Sequence, residues 1–255
     1  MQKGRKEKRI DRLKCATATA LAVFLLWPLT SSPAFAQKSS NLSKSANARK
    51  ARPKKQPITR KDIKEAEQLL SNLGYWGGPI DGRMDEATRH ALIAFQKVEG
   101  RTPTGRLTRN ELEALRAARR PEAREGGEAH IEIDLTRQIL FVVDEEGLVS
   151  KVLPISSGNG EEFTSEGWTR RAITPTGRFK VHRKIEGLRK SPLGLLYNPV
   201  YYLSGIAIHG SPSVPARPAS HGCVRIPIFA SKEFNQMADI GMWVYVYEDS
   251  TSEPD

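Results

Sequence analysis

The hydrophobic period of this chain changes partway along it, and that change bounds the fold before any motif is considered. Between residues 60 and 118 apolar residues recur three and four apart. Ile63, Ala66, Leu69, Leu70 and Leu73 precede Gly74, and Ala87, Ala91, Ala94, Phe95 and Val98 precede Gly100. Such spacing gathers apolar groups on one helix face, and a glycine just past the last of them is a stop signal. Thr108 with Glu111 reads as a capping box ahead of Leu112 and Leu115, so a third helix is expected. Residues 119–127, RRPEAREGG, read as a charged hinge, and beyond them the period falls to two. Ile131, Ile133 and Leu135 alternate with polar residues, Ile139–Val143 is a compact apolar run, and Leu148–Ile155 returns after a turn at Asp144–Gly147. Further strands are expected at Arg178–Lys184, Val200–Leu203, Ile206–His209, Cys223–Ile226 and Trp243–Tyr247. One late helix is expected at Pro227–Ile240, with Pro in its first turn and Gly241 as its stop. The fold class is therefore multidomain: a small all-α three-helix unit over 60–118 and a mainly β unit with one late helix over 128–249, followed by a tail at 250–255.

A chain of 255 residues has room for two small cores with linkers. Residues 1–36 have the order of a secretory signal peptide. Seven Lys and Arg residues fall in the first 14 positions, the apolar run Ala16–Leu29 follows, and Ala34-Phe35-Ala36 supplies a small-residue cleavage site. The run is shorter than the roughly 18 to 20 residues of a spanning helix, and Trp27-Pro28 interrupts it. Cleavage after Ala36 and export are expected, and an uncleaved signal is the only membrane attachment this reading allows. Cys15 stands ahead of the apolar run, where it cannot serve as a lipid-bearing cysteine at the cleavage site.

Residues 37–59, rich in Ser, Asn, Lys and Pro, read as a basic disordered linker too polar to pack. The formal net charge of +11 is concentrated in these flanking segments: residues 1–36 carry +5, residues 37–60 carry +8, and residues 61–255 carry −2. A nucleic-acid footprint would lie on the folded segments, so nucleic acid is not an expected partner.

Export leaves Cys223 as the single cysteine of the mature chain, in a compartment where cysteines usually pair. Its surroundings are Ile208-His209-Gly210-Ser211 and Ser220-His221-Gly222-Cys223-Val224-Arg225. A thiol becomes a useful nucleophile when an imidazole takes its proton, which lowers its pKa from about 8.5 by a unit or several. Gly222 permits close backbone approach, and the amides of Gly222 and Cys223 can face an oxyanion. On a strand His221 and Cys223 share a face, and His209 then arrives from another strand. An inert buried thiol and a zinc site of His209, His221 and Cys223 are the competing readings. The first fits poorly with the polar Ser-His-Gly-Cys, and the second has only three evident ligands. A thiol nucleophile needs neither metal nor cofactor, and none is expected.

These segments resemble the signature of L,D-transpeptidases with a YkuD-type catalytic domain: a histidine, then Ser/Thr-His-Gly-Cys, a hydrophobic residue and Arg or Asn. Thr174-Pro175-Thr176-Gly177-Arg178-Phe179 is similar to their upstream Thr-Pro-x-Gly-x-Phe element, and Asp134-Leu135 with Gln138-Ile139-Leu140 to their opening hairpin. Leu73-Gly74-Tyr75, Ile80-Asp81-Gly82, Thr88, Ala94-Phe95-Gln96 and Thr104-Gly105 resemble the three-helix peptidoglycan-binding domain. The second resemblance makes residues 60–118 a wall-binding module. The first implies a β-sandwich-like catalytic domain over 128–249, with Cys223 as nucleophile, His209 as base and the Gly210 carbonyl orienting that imidazole. It also makes Ser220 and His221 supports of the thiolate and its loop, with Gly222 between them. Arg225 takes either a substrate carboxylate or a structural ion pair.

The implied reaction cleaves the bond between the third stem residue and D-Ala in peptidoglycan tetrapeptides and passes the acyl group to an amine. The partners are then peptidoglycan stem peptides, with a second stem or an acceptor lipoprotein as the amine donor, in the periplasm at the cell wall. Water as acceptor gives an L,D-carboxypeptidase instead, and a decayed site gives a non-catalytic wall-binding protein. Sortases place their histidine far upstream of the cysteine, and NlpC/P60 peptidases place cysteine first, so neither order fits.

Overall fold

The computed structural model describes residues 57–249. The expected signal peptide, the linker up to residue 56 and the tail at 250–255 lie outside the described residues.

Three helices open this part of the chain: α1 (Arg60–Asn72), α2 (Glu86–Val98) and α3 (Arg109–Ala117). Each starts on a side chain that satisfies an orphan N–H. Thr59 and Asp62 form a reciprocal capping box on α1, and Asp85 caps α2 through the Thr88 N–H. Thr108 caps α3 by accepting from the Glu111 N–H. The Thr108–Glu111 box is only half present, however, because Arg101 takes the Glu111 carboxylate at 3.0 Å.

The β unit holds two five-stranded sheets and a separate hairpin. The first sheet runs β3 (Val149–Pro154), β2 (Ile139–Val143), β1 (His130–Asp134), β12 (Trp243–Tyr247), β6 (Gly177–Lys180), with β1 and β12 parallel. The second runs β11 (Val224–Pro227), β10 (Ile206–Ser211), β9 (Gly194–Leu203), β7 (Arg183–Lys184), with β8 (Leu188–Ser191) also paired to β9. The hairpin joins β4 (Glu162–Ser165) to β5 (Trp168–Arg171). Helix α4 (Ile228–Met237) packs on β9 and β10. It ends before the expected Ile240, at Ala238, whose backbone is extended.

Ile131, Ile133, Leu140, Val142, Val244 and Val246 of the first sheet meet Val200, Tyr202, Ile208, Val224 and Ile226 of the second in one core, sealed by Ala230 and Phe234 of α4. The other face of β2 and β3 is also covered. Ile139, Phe141, Val143, Val149 and Val152 form a core with Ala66, Leu70, Leu92, Phe95, Leu112 and Leu115 of the helices. This is why Ile139–Val143 is apolar at every position: each of its two faces has a core to fill. At about 1.5–3 kcal/mol for each fully buried aliphatic or aromatic side chain, this shared core holds the helices firmly on the sheet. The chain leaving α1 adds backbone pairing to the edge strand β3, with Trp76 N–H donating to Val152 O at 3.1 Å and Val152 N–H to Gly74 O at 2.8 Å.

Residues 119–127, expected as a hinge, are tied down. Arg120 donates to Asn72 O and Val149 O, and the Arg124 and Glu125 N–H groups donate to the Glu132 carboxylate. Strand β1 is consequently buried on both faces, and its polar positions His130, Glu132 and Asp134 are covered too. The Glu132 carboxylate also faces His130 Nε2 and accepts from Tyr247 Oη, so its burial is compensated.

The expected strand Arg178–Lys184 is two strands in different sheets. Buried Val181 marks the crossing: β6 pairs with β12 and β7 with β9. The hairpin β4–β5 and strand β8 had no counterpart in the sequence reading. They are exposed and lack an apolar alternation.

Candidate active site

Two parallel neighbours carry the site. His209 on β10 and Arg225 on β11 are register partners, and Cys223 stands immediately before β11. The expected strand does not include Cys223: residues 221–223 form a bend, with Gly222 at φ +125°. His221 and Cys223 therefore do not share a strand face. The His221 side chain is exposed, its ring 4.8 Å from that of Phe163 on the β4–β5 hairpin. The three residues weighed as a zinc set do not converge, and among the described residues no three His, Cys, Asp or Glu side chains do.

Glycine is required twice in this bend and strand. A Cβ on Gly222 would sit 2.9 Å from the Ile173 carbonyl in a backbone conformation that L-residues rarely adopt. A Cβ on Gly210 would lie 2.5 Å from the Ser231 Cβ of α4. Close packing of α4 against β10 thus depends on Gly210.

The bend is held from several sides. Ser220 Oγ donates to the Cys223 carbonyl and accepts the Gly222 N–H at 3.0 Å. The Gly222 N–H, expected to face an oxyanion, is therefore committed within the bend. Thr174 of the Thr-Pro-x-Gly element donates its hydroxyl to Gly222 O at 2.8 Å and accepts the Gly158 N–H at 2.9 Å. Ala219 and Ser220 N–H groups both donate to Ser157 O at 2.9 Å. Ser157 is in turn gripped by Gln138, whose Nε2 donates to Ser157 Oγ at 2.7 Å and whose Oε1 accepts the Ser157 N–H at 2.9 Å. Finally, Lys97 Nζ of α2 donates to Gln138 O at 2.9 Å and Ile155 O at 3.3 Å. A run of buried polar contacts thus leads from the helical unit to the loop that carries Cys223.

Sequence alone does not mark Thr174, Ser157, Gln138 or Lys97 as site residues. The Thr-Pro-x-Gly element was visible as a motif, but nothing in spacing alone reports that its hydroxyl reaches Gly222. The buried Tyr202 hydroxyl has no hydrogen-bond partner among the described residues, and burial raises its pKa.

His209 is buried, and its Nδ1–H donates to Gly210 O at 2.9 Å, which leaves the lone pair of the neutral ring on Nε2. Burial lowers its pKa to about 4, and the Arg225 charge acts in the same direction against the Gly210 carbonyl. Burial raises the Cys223 thiol, opposed by a hydrogen bond from the Ala207 backbone and by Arg225. The thiol pKa is thus raised and not depressed as expected, because desolvation exceeds the stabilising contacts. Arg225 is half-buried without a carboxylate partner among the described residues, and burial lowers its pKa. All three side chains line one cleft of about 790 Å³, walled by residues of the β4–β5 hairpin, β8 and β9.

The arrangement matches known proteins in both parts. Residues 128–246 fit the model of the L,D-transpeptidase catalytic domain (YkuD), and residues 59–115 fit that of a peptidoglycan binding domain. A crystal structure of the L,D-transpeptidase from Xylanimonas cellulosilytica is 38% identical over 76% of this chain and 94% of its own, with a TM-score of 0.70. This chain belongs to the L,D-transpeptidase family. Another member, from Stackebrandtia nassauensis, is 25% identical over 74% of this chain and 93% of its own, with a TM-score of 0.42. The localization factor PodJL of Caulobacter vibrioides is 42% identical over 50 residues, 20% of this chain. That match spans only 5% of the length of this curated relative. The first match covers the mainly β unit and the second the three-helix unit ahead of it.

Proposed function

We propose that this chain is an exported L,D-transpeptidase that forms a thioester on Cys223 from the third residue of a peptidoglycan tetrapeptide stem. The observation that carries the reading is that Cys223 lines one cleft with a buried His209 whose Nδ1–H is committed to Gly210 O at 2.9 Å. A neutral ring so tautomerised accepts a proton only at Nε2.

In the first half-reaction Nε2 of His209 takes the thiol proton as the sulfur attacks the carbonyl of the third residue. The tetrahedral oxyanion needs a donor, and with the Gly222 N–H committed, the Cys223 N–H is the remaining candidate of that pair. The imidazolium then protonates the departing amine, D-Ala leaves, and a thioester remains. In the second half an acceptor amine, from another stem or a lipoprotein, attacks the thioester. His209 collects the amine proton and returns it to the sulfur. A thiol raised and an imidazole lowered by burial suit this sequence, because proton transfer and attack can proceed together without a standing ion pair. Arg225 is assigned to a substrate carboxylate. Ser220 and His221 are assigned to the loop, and Thr174 and Ser157 are positioning residues for it. Wall binding falls to the helical unit, and the periplasm is the compartment in which all of this is useful.

Incubation of the full chain with a tetrapeptide donor and a stem acceptor tests the reading by mass spectrometry of the products. A 3-3 cross-linked dimer with released D-Ala is expected. Tripeptide alone would make the protein a carboxypeptidase, and unchanged tetrapeptide would remove the enzymatic reading.

A further inference from the structure

Five arginines line the cleft around Cys223, against a single carboxylate, Glu166. Arg170 and Arg171 come from β5, Arg183 from β7, Arg189 from β8 and Arg225 from β11. None has an acidic partner among the described residues. Outside the cleft, six of the thirteen described arginines, Arg101, Arg109, Arg116, Arg124, Arg137 and Arg178, pair with an Asp or Glu. Residues 61–255 carry a net charge of only −2, so the positive charge of the cleft is local.

Two of the five are held in place without being neutralised. Arg171 donates Nε and Nη2 to Gly160 O at 3.2 and 3.1 Å, and Arg183 lies 4.0 Å above the Tyr201 ring. Like charges gathered in a concavity repel one another and are maintained at a cost to stability. In return they focus the field on an incoming anion, and planar guanidinium groups are suited to bidentate carboxylate contacts. Trp168, Leu193 and Leu195 stand exposed in the same cleft and offer apolar contact between the charges.

We infer that Arg170, Arg183 and Arg189, together with Arg225, form an extended carboxylate-reading subsite, so that the preferred stem carries its side carboxylates as free acids. This rests on the proposed transpeptidase reading for the identity of the peptide. A tetrapeptide with γ-linked glutamate and diaminopimelate presents carboxylates on both residues and at the D-Ala terminus, spread along its length. Conversion of the side carboxylates to carboxamides keeps the shape of the stem and removes the charge that the arginines face. Arg171, already committed to Gly160 O, orients the strand carrying Arg170.

Calorimetric titration of the full chain carrying Cys223→Ala isolates binding from chemistry. The free-acid tetrapeptide is expected to bind about tenfold or more tightly than its side-chain carboxamide, and that ratio should shrink as salt is raised. Arg170→Gln with Arg189→Gln should weaken the free acid toward the carboxamide value, leave the carboxamide unchanged and leave the melting temperature unchanged. Equal affinity for the two peptides, or no binding of either, would overturn the inference. So would equal binding of an unrelated acidic peptide of the same charge, which would mean undirected attraction. Adduct formation on the wild-type chain separates the two levels. Equal kcat/KM for both stems removes the subsite while the transpeptidase reading stands. Selective binding of the free acid without any adduct supports the subsite and removes the transpeptidase chemistry.

Discussion

His209 donates its Nδ1–H to the Gly210 carbonyl 2.9 Å away, and burial of the same ring lowers its pKa to about 4. The thiol it would serve is raised above its ordinary value, chiefly by burial. Thiolate-dependent alkylation of Cys223 by iodoacetamide should therefore climb about tenfold per pH unit through neutral pH, with its midpoint above about 8.5. A plateau reaching down to pH 5 would mean a standing thiolate–imidazolium pair instead. The depressed His209 pKa also has a stability consequence. The unfolded ring binds its proton from about 6.5 downward and the folded ring only near 4, so stability is lost as pH falls across that window.

Thr174 links the Gly158 N–H to the Gly222 carbonyl through one buried hydroxyl. Thr174→Val keeps the volume and removes both bonds. It should cost about 1–3 kcal/mol in urea unfolding and lower kcat more than it changes KM. Thr174→Ser should restore most of both, and an unchanged kcat in Thr174→Val would show that the bend does not need this tie.

Lys97 is buried at the join of helices and sheet, and desolvation lowers its pKa to about 7. Above that value the folded chain has released a proton that the unfolded chain keeps until about pH 10.4, so stability should rise with pH between these limits. Lys97→Met should flatten that part of the curve in denaturant titrations at pH 6.5 and 9. The same slope in both proteins would contradict the assignment.

Phe141 projects from β2 into the core shared with the helices. Phe141→Ala should cost about 3–5 kcal/mol, and calorimetry of the wild type should give a single transition for helical and β units together. Two separated transitions would restore a free hinge at 119–127.

The readable parts of this fold are those where one physical requirement dominates. Helical spacing from Ile63 to Val98 and the run Ile139–Val143 reflect burial directly, and the structure has elements there. Arg178–Lys184 looked continuous because no local signal marks a strand that changes sheets at Val181. The 119–127 segment looked free because its Pro, Gly and charges are the residues of a linker, while its anchor, Glu132, lies on a strand farther along. At the site, Ser-His-Gly-Cys and the upstream histidine were visible as a pattern. The thiol pKa was not, since it turns on desolvation by walls distant in sequence. Nor was the grip of Gln138 on Ser157, which joins positions 19 residues apart by side-chain reach alone.

Intact mass spectrometry of the wild-type chain and Cys223→Ala, each mixed with a tetrapeptide stem and no acceptor, tests the nucleophile most directly. The wild type should gain the mass of the acyl tripeptide, with D-Ala released in equal amount, and Cys223→Ala should gain nothing. An adduct that persists in Cys223→Ala, or D-Ala released equally by both proteins, would contradict the assignment of Cys223.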